Sequence, residues 1–409
     1  MAGRGSLRQA SPRKWLIRAG IATIAALIGY FAVVTTLAFT IRAEQPDRAF
    51  ALAPWDARVD SAMAEYLSGP AATSTDRAQA DRLALIALRR DGTNVSAAAT
   101  LGLNAEAREN GALARRWFNY AEALSRRDLR TQLWAIEHAV GAGKVVAALH
   151  HYDIALRTSR KSFDLLFPVL ESALSDPSIR AELVRTMAQK PVWGDAFVSH
   201  AAENGVDRSA VALFLAQMDR AGLPVADRAK ALIVTRLMDA NEPEAAWAYY
   251  TAVHPGVSRD ASRDPQFGAN LSDPTTFDWQ PVDDGGLSAS IQRGEHGGLV
   301  DFSAPAGMGG MLLRQTQMLK SGRYLLSGHS IGLDAQSTSR PYWTLICGDG
   351  RTLGRVDIPN SSQAGGNFSG GFFVPDDCRV QTLALMAPAS DDVAGLSGQI
   401  DRAVLRPAG

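Results

Sequence analysis

One stretch of the sequence has the spacing of a catalytic nucleophile. Gly328-His329-Ser330-Ile331-Gly332 matches the pattern G-x-S-x-G, in which a serine stands on a sharp turn between a strand and a helix. Residues 333–343 are rich in turn formers and lead into another apolar run rather than into a helix. The catalytic histidine of that arrangement follows the serine, and His329 is the last histidine of this chain. We therefore predict that Ser330 is not a nucleophile.

Three pairs of adjacent acids could supply the two carboxylates of a glycosidase, which stand about 5 to 9 Å apart across one bond. Each pair lies in a predicted turn near Gly or Pro, where aspartate is favoured for its local hydrogen bonds. We interpret them as turn residues and keep a glycan hydrolase as the less favoured alternative. The pairs are Asp283-Asp284, Asp376-Asp377 and Asp391-Asp392.

Aromatic and charged residues in the last third of the chain suit saccharide binding, since flat rings contact sugar CH groups and charged ends bind hydroxyls. The predicted ligand contacts are Trp279, His329, Arg340, Tyr342 and Trp343. Side chains alternate along a strand, so Tyr342 and Trp343 point to opposite faces and at most one of them lies in the core. Arg340 and Tyr342, near a strand end, are the preferred contacts; core packing is the competing interpretation for each aromatic.

The chain has two cysteines, Cys347 and Cys378, and they lack the C-x-x-C spacing of many metal and redox sites. In an oxidising compartment such a pair favours a disulfide. Two buried free thiols are the alternative.

From Thr276 onward the sequence consists of short alternating apolar runs separated by Gly, Pro, Asp and Ser. About ten such runs at close spacing predict an antiparallel β-sandwich over residues 276–409. Among sandwich topologies we expect a jelly roll. Cys347 closes one predicted strand and Cys378 opens another.

Three of these runs, GRYLLSGHS, RPYWTLICGDGR and SGQIDRAVLRP, resemble strands of the galactose-binding-like jelly rolls, the fold of many carbohydrate-binding modules. The resemblance implies a possible structural calcium ion held by an acidic residue on the final strand. Asp401 is the matching position. A solvated strand residue is the other interpretation of Asp401, and no other cofactor is expected.

Residues 49–253 are rich in Ala, Leu, Arg and Glu, with apolar positions recurring at three and four, which predicts helices. A small–large–small pattern recurs at a spacing of 34 residues. Such a period is typical of stacked helical hairpins, in which small residues let neighbouring helices approach. The recurring positions are Ala80, Ala84 and Ala87, then Ala114, Phe118 and Ala121, then Ala148, Tyr152 and Ala155.

This repeat resembles the tetratricopeptide repeat (TPR) family, most clearly in AIEHAVGAGKVVAALHHYDIALRTSRK, although Arg160 stands where that family has a proline. The resemblance implies a helical solenoid over residues 46–256 with a groove for protein partners. A generic α-solenoid is the alternative. Residues 257–275 have no period and several turn formers, so we predict a linker there.

Residues 19–41 contain no formal charge, and as a helix they measure about 34 Å, enough to cross a hydrocarbon core of about 30 Å. Five basic residues lie in the 1–18 tail, and no acidic residue precedes Glu44. The positive-inside rule therefore places the N-terminus in the cytoplasm and the bulk of the chain in the periplasm. A cleaved secretory signal is the alternative, although its apolar core is usually shorter.

The apolar content of 46% is ordinary for a globular protein, and the formal charge is zero. Six basic residues lie at or before Arg42 and no acid does, so the remainder of the chain carries about six negative charges. Nothing outside the short tail offers a basic face, and we expect no nucleic-acid partner.

Together these features predict an α+β multidomain protein with a transmembrane helix, TPR-like repeats and a C-terminal antiparallel sandwich. We expect a non-enzymatic, single-pass envelope scaffold of the inner membrane that binds protein partners through the repeats. The sandwich is a candidate for polysaccharide, with surface polysaccharide export or assembly as the setting suggested by architecture alone. A protein-interaction adaptor without glycan binding is the second hypothesis.

Overall fold

The structure, a computed structural model, describes residues 12–283, 285–294, 297–390 and 392–408. Most of the predicted basic tail and two members of the acid pairs, Asp284 and Asp391, lie outside the described residues. The chain forms two compact units, Met1–Leu166 and Phe167–Gly409. The predicted fold class is confirmed: an apolar N-terminal helix is followed by a helical region and a two-sheet antiparallel sandwich.

Fourteen α-helices lie in the described residues. They are α1 (Pro12–Ile41), α2 (Pro46–Leu52), α3 (Ala57–Tyr66), α4 (Ser74–Arg90), α5 (Val95–Glu106), α6 (Gly111–Leu124), α7 (Leu129–Gly141), α8 (Val145–Thr158), α9 (Ser162–Ser172), α10 (Pro177–Ala188), α11 (Gly194–Asn204), α12 (Arg208–Arg220), α13 (Asp227–Asp239) and α14 (Pro243–Val253).

The first unit is built from antiparallel hairpins, α3–α4, α5–α6 and α7–α8. All nine positions of the small–large–small pattern are buried, as the 34-residue period predicts. Helices α5 and α6 lie very close together at Gly102, where a Cβ atom would be 2.8 Å from the Phe118 ring. The N-caps repeat as well, because the side chains of Asn94 and Asp128, 34 residues apart, cap α5 and α7.

The end of α1 belongs to the folded part of this unit. Val34 and Ala38 are buried in one cluster with Ala49, Ala53 and Val59 of α2 and α3. Within the described residues, one helix is long and apolar enough to cross a membrane, and it is α1. The last two turns of α1 therefore belong to the long apolar helix and also contribute side chains to the core of the first unit.

Ten strands follow, matching the ten predicted apolar runs. They are β1 (Gln280–Pro281), β2 (Ser288–Gly294), β3 (Gly297–Ala304), β4 (Gly310–Gln317), β5 (Gly322–Ile331), β6 (Tyr342–Cys347), β7 (Thr352–Asp357), β8 (Asn367–Val374), β9 (Gln381–Ala387) and β10 (Leu396–Pro407).

The strands form two sheets with the orders β1-β4-β9-β6-β7 and β2-β3-β10-β5-β8, and all pairs are antiparallel. From β3 to β10 every connection except β6–β7 passes from one sheet to the other. This is the strand order of a jelly roll. The predicted disulfide is present between Cys347, at the end of β6, and Cys378, before β9.

Residues 257–275, predicted as a linker, contain no helix or strand but pack closely against the sandwich. Phe267 is fully buried, and Ser262 and Arg263 are nearly so. The backbone of Ser262 donates to Leu405 of β10, and Ala403 donates to Pro265. The segment therefore belongs to the second unit and joins α14 to the sandwich.

Candidate functional site

Two of the five predicted ligand contacts lie in the core of the sandwich. Trp343 is fully buried and Trp279 is 4% exposed, and their ring centroids are 5.6 Å apart. Both rings therefore belong to the hydrophobic core of the sandwich, which matches the competing core-packing interpretation and leaves neither ring exposed to a ligand.

Tyr342 points outward, on the opposite face of β6 from Trp343. The guanidinium of Arg355 lies 3.7 Å from the centroid of the Tyr342 ring, a cation–π contact. In the register of the sheet, Tyr342 stands between Met386 of β9 and Asp357 of β7. One face of the ring is thus already covered by a neighbouring strand.

Arg340 precedes β6 and is half-buried. Its Nη2 atom donates to Gln363 at 3.2 Å, in the loop that connects β7 to β8. Arg340 and Tyr342 belong to the side of the sandwich formed by β6, whereas His329 lies on β5 in the other sheet. The structure therefore does not bring the predicted contacts together into one site.

Ser330 is 2% exposed, and its hydroxyl bonds inward to the Gly366 carbonyl at 3.2 Å. Because alternation along β5 sends His329 outward, the two side chains of the G-x-S-x-G pattern point in opposite directions. The strand continues to Ile331 and leads toward β6 rather than into a helix. This geometry is that of an ordinary strand and not of a nucleophile turn.

A cluster of polar side chains occupies the outer face of the sheet β2-β3-β10-β5-β8, and we refer to it as the polar face. His329 Nδ1 lies 2.9 Å from Asp401 Oδ1, joining β5 to β10. Gln399 donates to Asp301 at 2.9 Å, joining β10 to β3. The residues of the polar face are Asp301, His329, Asn367, Gln399, Asp401 and Arg402.

A β-bulge in β10 creates this arrangement. Ile400 pairs with Ser330 and Arg402 pairs with His329, which leaves Asp401 as an extra residue. A bulge places two successive residues opposite one and re-aims their side chains. The bulge thus presents Asp401 and Arg402 together beside His329, where simple alternation would send one of them into the core.

The polar face contains a depression of about 260 Å³ next to this bulge. Two adjacent glycines form part of its wall; at Gly298 a Cβ atom would lie 2.3 Å from the Phe267 carbonyl oxygen. The wall can approach so closely only because it lacks a side chain there. The lining residues are Gln266, Gly297, Gly298, His329, Asp401 and Arg402.

The surroundings of Asp401 do not resemble a calcium site. Calcium takes six to eight oxygen ligands, whereas the nearest partner of the Asp401 carboxylate is an imidazole nitrogen. In the described part of the chain, no group of three or more His, Cys, Asp or Glu side chains could hold a metal ion. The residues fit a hydrogen-bonded His–Asp pair better than a hard cation.

The first unit has a second candidate surface, a groove of about 640 Å³ that we call the helical groove. The first helices of three successive hairpins line it. Glu65 of α3 accepts a hydrogen bond from Ser96 of α5 at 3.0 Å and pairs with Arg130 of α7 at 2.9 Å. Arg42, Arg58 and Asp91 add further charges to its wall. Hydrogen bonds from Thr93 lower the pKa of Asp91, so this carboxylate is negatively charged near neutral pH.

No protein-family model matches this chain. No curated protein matches it either. The enzymatically active domain of tailspike protein 4 from bacteriophage CBA120 is similar at 12% identity, over 37% of this chain and 21% of that one, with a TM-score of 0.23. A structure described as CBM4 matches at 13% identity over 36% of this chain and 99% of its own, with a TM-score of 0.26.

The glycosylation-associated Gap123 complex of Streptococcus agalactiae matches at 14% identity over 32% of this chain and 44% of that one, with a TM-score of 0.21. This chain thus spans about a fifth of the tailspike domain and less than half of the Gap123 chain. At such TM-scores these similarities are partial, and no conclusion about the function of this chain follows from them. They do not establish membership of the TPR family or of a carbohydrate-binding family.

Proposed function

We propose that this protein is a membrane-anchored, non-enzymatic binding protein of the cell envelope that holds a saccharide on the polar face of its sandwich. The observation that supports this most directly is the joint presentation of His329, Asp401 and Arg402 beside a shallow depression. Neighbouring donors and acceptors in a fixed array are what the adjacent hydroxyls of a sugar require.

The chemistry of the polar face favours a neutral or mixed polar ligand over a phosphate. Asp301 and Asp401 place two carboxylates among the donors Arg402, Asn367 and His329. The same sheet face also carries Phe373, which is 57% exposed. Phe373 stands six residues along β8 from Asn367, about 20 Å at the rise of a strand, so a chain of several sugar units could contact both.

The packing of α1 supports permanent anchoring. Val34 and Ala38 are buried together with Ala49, Ala53 and Val59. Cleavage of α1 as a secretory signal would remove two core residues and expose the apolar side chains beneath them. A retained helix, with its N-terminus in the cytoplasm and the bulk of the chain in the periplasm of a Gram-negative type of cell, is consistent with this packing.

The test is retardation of the detergent-solubilised full-length protein in gels containing envelope polysaccharides. Asn367→Ala and Arg402→Ala, both at exposed positions, are expected to weaken retention at least fivefold when combined. The matched control combines Arg355→Ala and Asp357→Ala on the outer face of the other sheet, and it should leave retention unchanged.

If only the control variants weaken retention, the saccharide binds near Tyr342 and the polar face is not the site. If no polysaccharide retards the wild-type protein, the saccharide proposal is wrong. Incubation with the same polysaccharides followed by analysis of chain length tests the absence of hydrolysis. We expect no shortening, since the Ser330 hydroxyl is buried and bonded inward.

The helical groove favours a second candidate function, that of a protein-interaction adaptor in surface polysaccharide export or assembly. Its charges of both signs suit an extended, charged polypeptide segment. A photo-crosslinking residue at Tyr66, which lines the groove and is exposed, should trap a polypeptide in native membranes. The same residue at the exposed Val140, outside the groove, should not. Equal trapping at both positions would contradict a role for the groove.

A further inference from the structure

The start of α3 lies beside the apolar helix α1, well before the end of that helix. Helix α2 turns back after Ile41, so that Ala49 and Ala53 pack against Ala38 and Val34. Trp55 then reaches Phe31, with ring centroids 5.5 Å apart and an edge-to-face angle of 74°. Trp55 is still 45% exposed, so its other side is free.

Charged groups of the folded part lie beside α1 one to two turns further along, from Thr35 onward. One depression is lined jointly by Thr35, Thr36 and Phe39 of α1 and by Asp56, Arg58 and Asp91. The Arg58 guanidinium lies 5.5 Å from the centroid of the Phe39 ring, and that of Arg42 lies 3.5 Å from it. Ionised side chains are costly inside hydrocarbon, so the hydrocarbon core cannot extend past Thr35 while these groups stand beside it.

The lengths agree with a membrane edge at that level. At 1.5 Å per residue, the distance along α1 from Arg18 to Thr35 is about 26 Å, and from Lys14 to Thr35 it is about 32 Å. These two values bracket a hydrocarbon core of about 30 Å. The charge-free segment up to Arg42 is longer than the bilayer needs.

We propose that Trp55 and the start of α3 rest on the surface of the phospholipid bilayer. The hydrocarbon core then ends near Val34 rather than at Ile41. Trp55 lies in the interface, as tryptophan prefers, and Arg42 and Arg58 lie among the lipid phosphates. The occupant of this surface is the bilayer that α1 itself enters, so the contact surface is continuous with the span. The proposal rests on α1 as a membrane anchor and is independent of saccharide binding.

The first test maps the membrane edge with single cysteines in the full-length protein, reconstituted into vesicles of phosphatidylethanolamine and phosphatidylglycerol. The native cysteines form a disulfide and do not react with maleimides. Leu37→Cys and Ile28→Cys both replace exposed residues of α1. Val206→Cys, an exposed position outside α1, reports the fraction of molecules that face a membrane-impermeant maleimide.

Relative to Val206→Cys, we expect nearly complete labelling of Leu37→Cys and less than one tenth for Ile28→Cys. Protection of Leu37→Cys equal to that of Ile28→Cys would overturn the proposal, since the hydrocarbon core would then extend past Leu37 rather than end near Val34.

The second test examines Trp55 itself. Trp55→Cys labelled with an environment-sensitive fluorophore should be quenched by lipids with a spin label near the headgroup, at least threefold more than the same fluorophore at Val140→Cys, an exposed position of α7 in the same unit. Equal quenching at the two positions would show that the start of α3 does not touch the bilayer. Because Trp55 is half exposed, its replacement leaves the buried cluster of α1 and α2 intact.

Discussion

Replacement of the buried Arg263 by methionine tests how α14 is fixed to the sandwich. Arg263 is 5% exposed, and its side chain donates to Phe277 O at 2.8 Å, to Gln317 Oε1 at 3.1 Å and to Thr316 O. Its guanidinium also lies 5.4 Å from the Trp247 ring of α14. The substitution keeps the volume but removes the charge and all three donors.

Two opposing effects determine how much Arg263→Met should change the stability of this region. Leaving three buried acceptors unpaired costs about 2 kcal/mol each, about 6 kcal/mol in total. Burial lowers the pKa of Arg263 from 12.5 to about 10, so keeping the charged form inside costs about 3 kcal/mol that the variant recovers. We therefore expect Arg263→Met to destabilise this region by about 3 kcal/mol, the difference between these two estimates.

Because the chain has two units, the effect should be measured locally rather than from one global transition. Hydrogen–deuterium exchange of peptides covering residues 257–281 reports the opening of this region. A loss of about 3 kcal/mol accelerates exchange there by about a hundredfold. The control Arg406→Met, at an exposed position of β10, should change exchange by less than about threefold. Unchanged exchange in Arg263→Met would refute the argument.

The remaining predictions concern the disulfide, pH and the helical hairpins. Replacing both Cys347 and Cys378 by serine should destabilise the sandwich by about 3 to 4 kcal/mol in urea unfolding, as expected for opening a loop of 31 residues. Burial lowers the pKa of His254 below its value of about 6.5 in the unfolded chain, so the unfolded state takes up a proton at a higher pH than the folded state does. The free energy of unfolding should therefore be greatest above about pH 6.5 and decrease as the pH falls below that value. His254→Gln should reduce this dependence of the unfolding free energy on pH. Gly102→Ala should destabilise the first unit by about 1 to 2 kcal/mol, because its Cβ would collide with the stacked Phe118 ring.

For each of these three predictions, a control variant or a specific result would contradict the reasoning. Gly141→Ala, where a Cβ would meet nothing within 4 Å, should be neutral or stabilise α7 by up to about 1 kcal/mol; equal effects of the two glycine substitutions would contradict the packing argument. An acid slope that persists in His254→Gln would assign it to other groups. Equal unfolding midpoints of the oxidised protein and the cysteine variant would show that the cross-link adds no stability.

Local patterns predicted the elements well. The period of two in the C-terminal half predicts ten strands, and the spacing of 34 predicts which small residues lie between helices. Both signals come from neighbours in sequence or from a repeat. The sandwich with its disulfide, and the buried Ala114, Phe118 and Ala121, follow from such signals.

The site could not be predicted in the same way. Asp401 and His329 are 72 residues apart in sequence, and they meet only because of a bulge that no local pattern in β10 reveals. Alternation separated Tyr342 from Trp343 correctly but could not show that Arg355 covers the Tyr342 ring. The sequence did single out His329 and Asp401, one as a sugar contact and one as a calcium ligand, without relating them.

The segment 257–275 shows the same limit. Its turn formers and lack of period favour a linker, yet Arg263 makes its bonds to residues 14, 53 and 54 positions away. A buried arginine in an irregular segment has no sequence signature, because its partners are mostly backbone carbonyls that every residue possesses. The end of α1 is a similar case, since hydrophobicity alone cannot distinguish lipid-facing turns from turns that pack against α2.

The most direct test of the proposed function is a glycan array probed with the full-length protein in lipid nanodiscs, beside empty nanodiscs. We predict binding to a limited class of envelope saccharides that is lost when Asn367→Ala and Arg402→Ala are combined. Absence of any saccharide signal above empty nanodiscs, with the protein folded, would contradict the proposal and leave the adaptor function as the alternative.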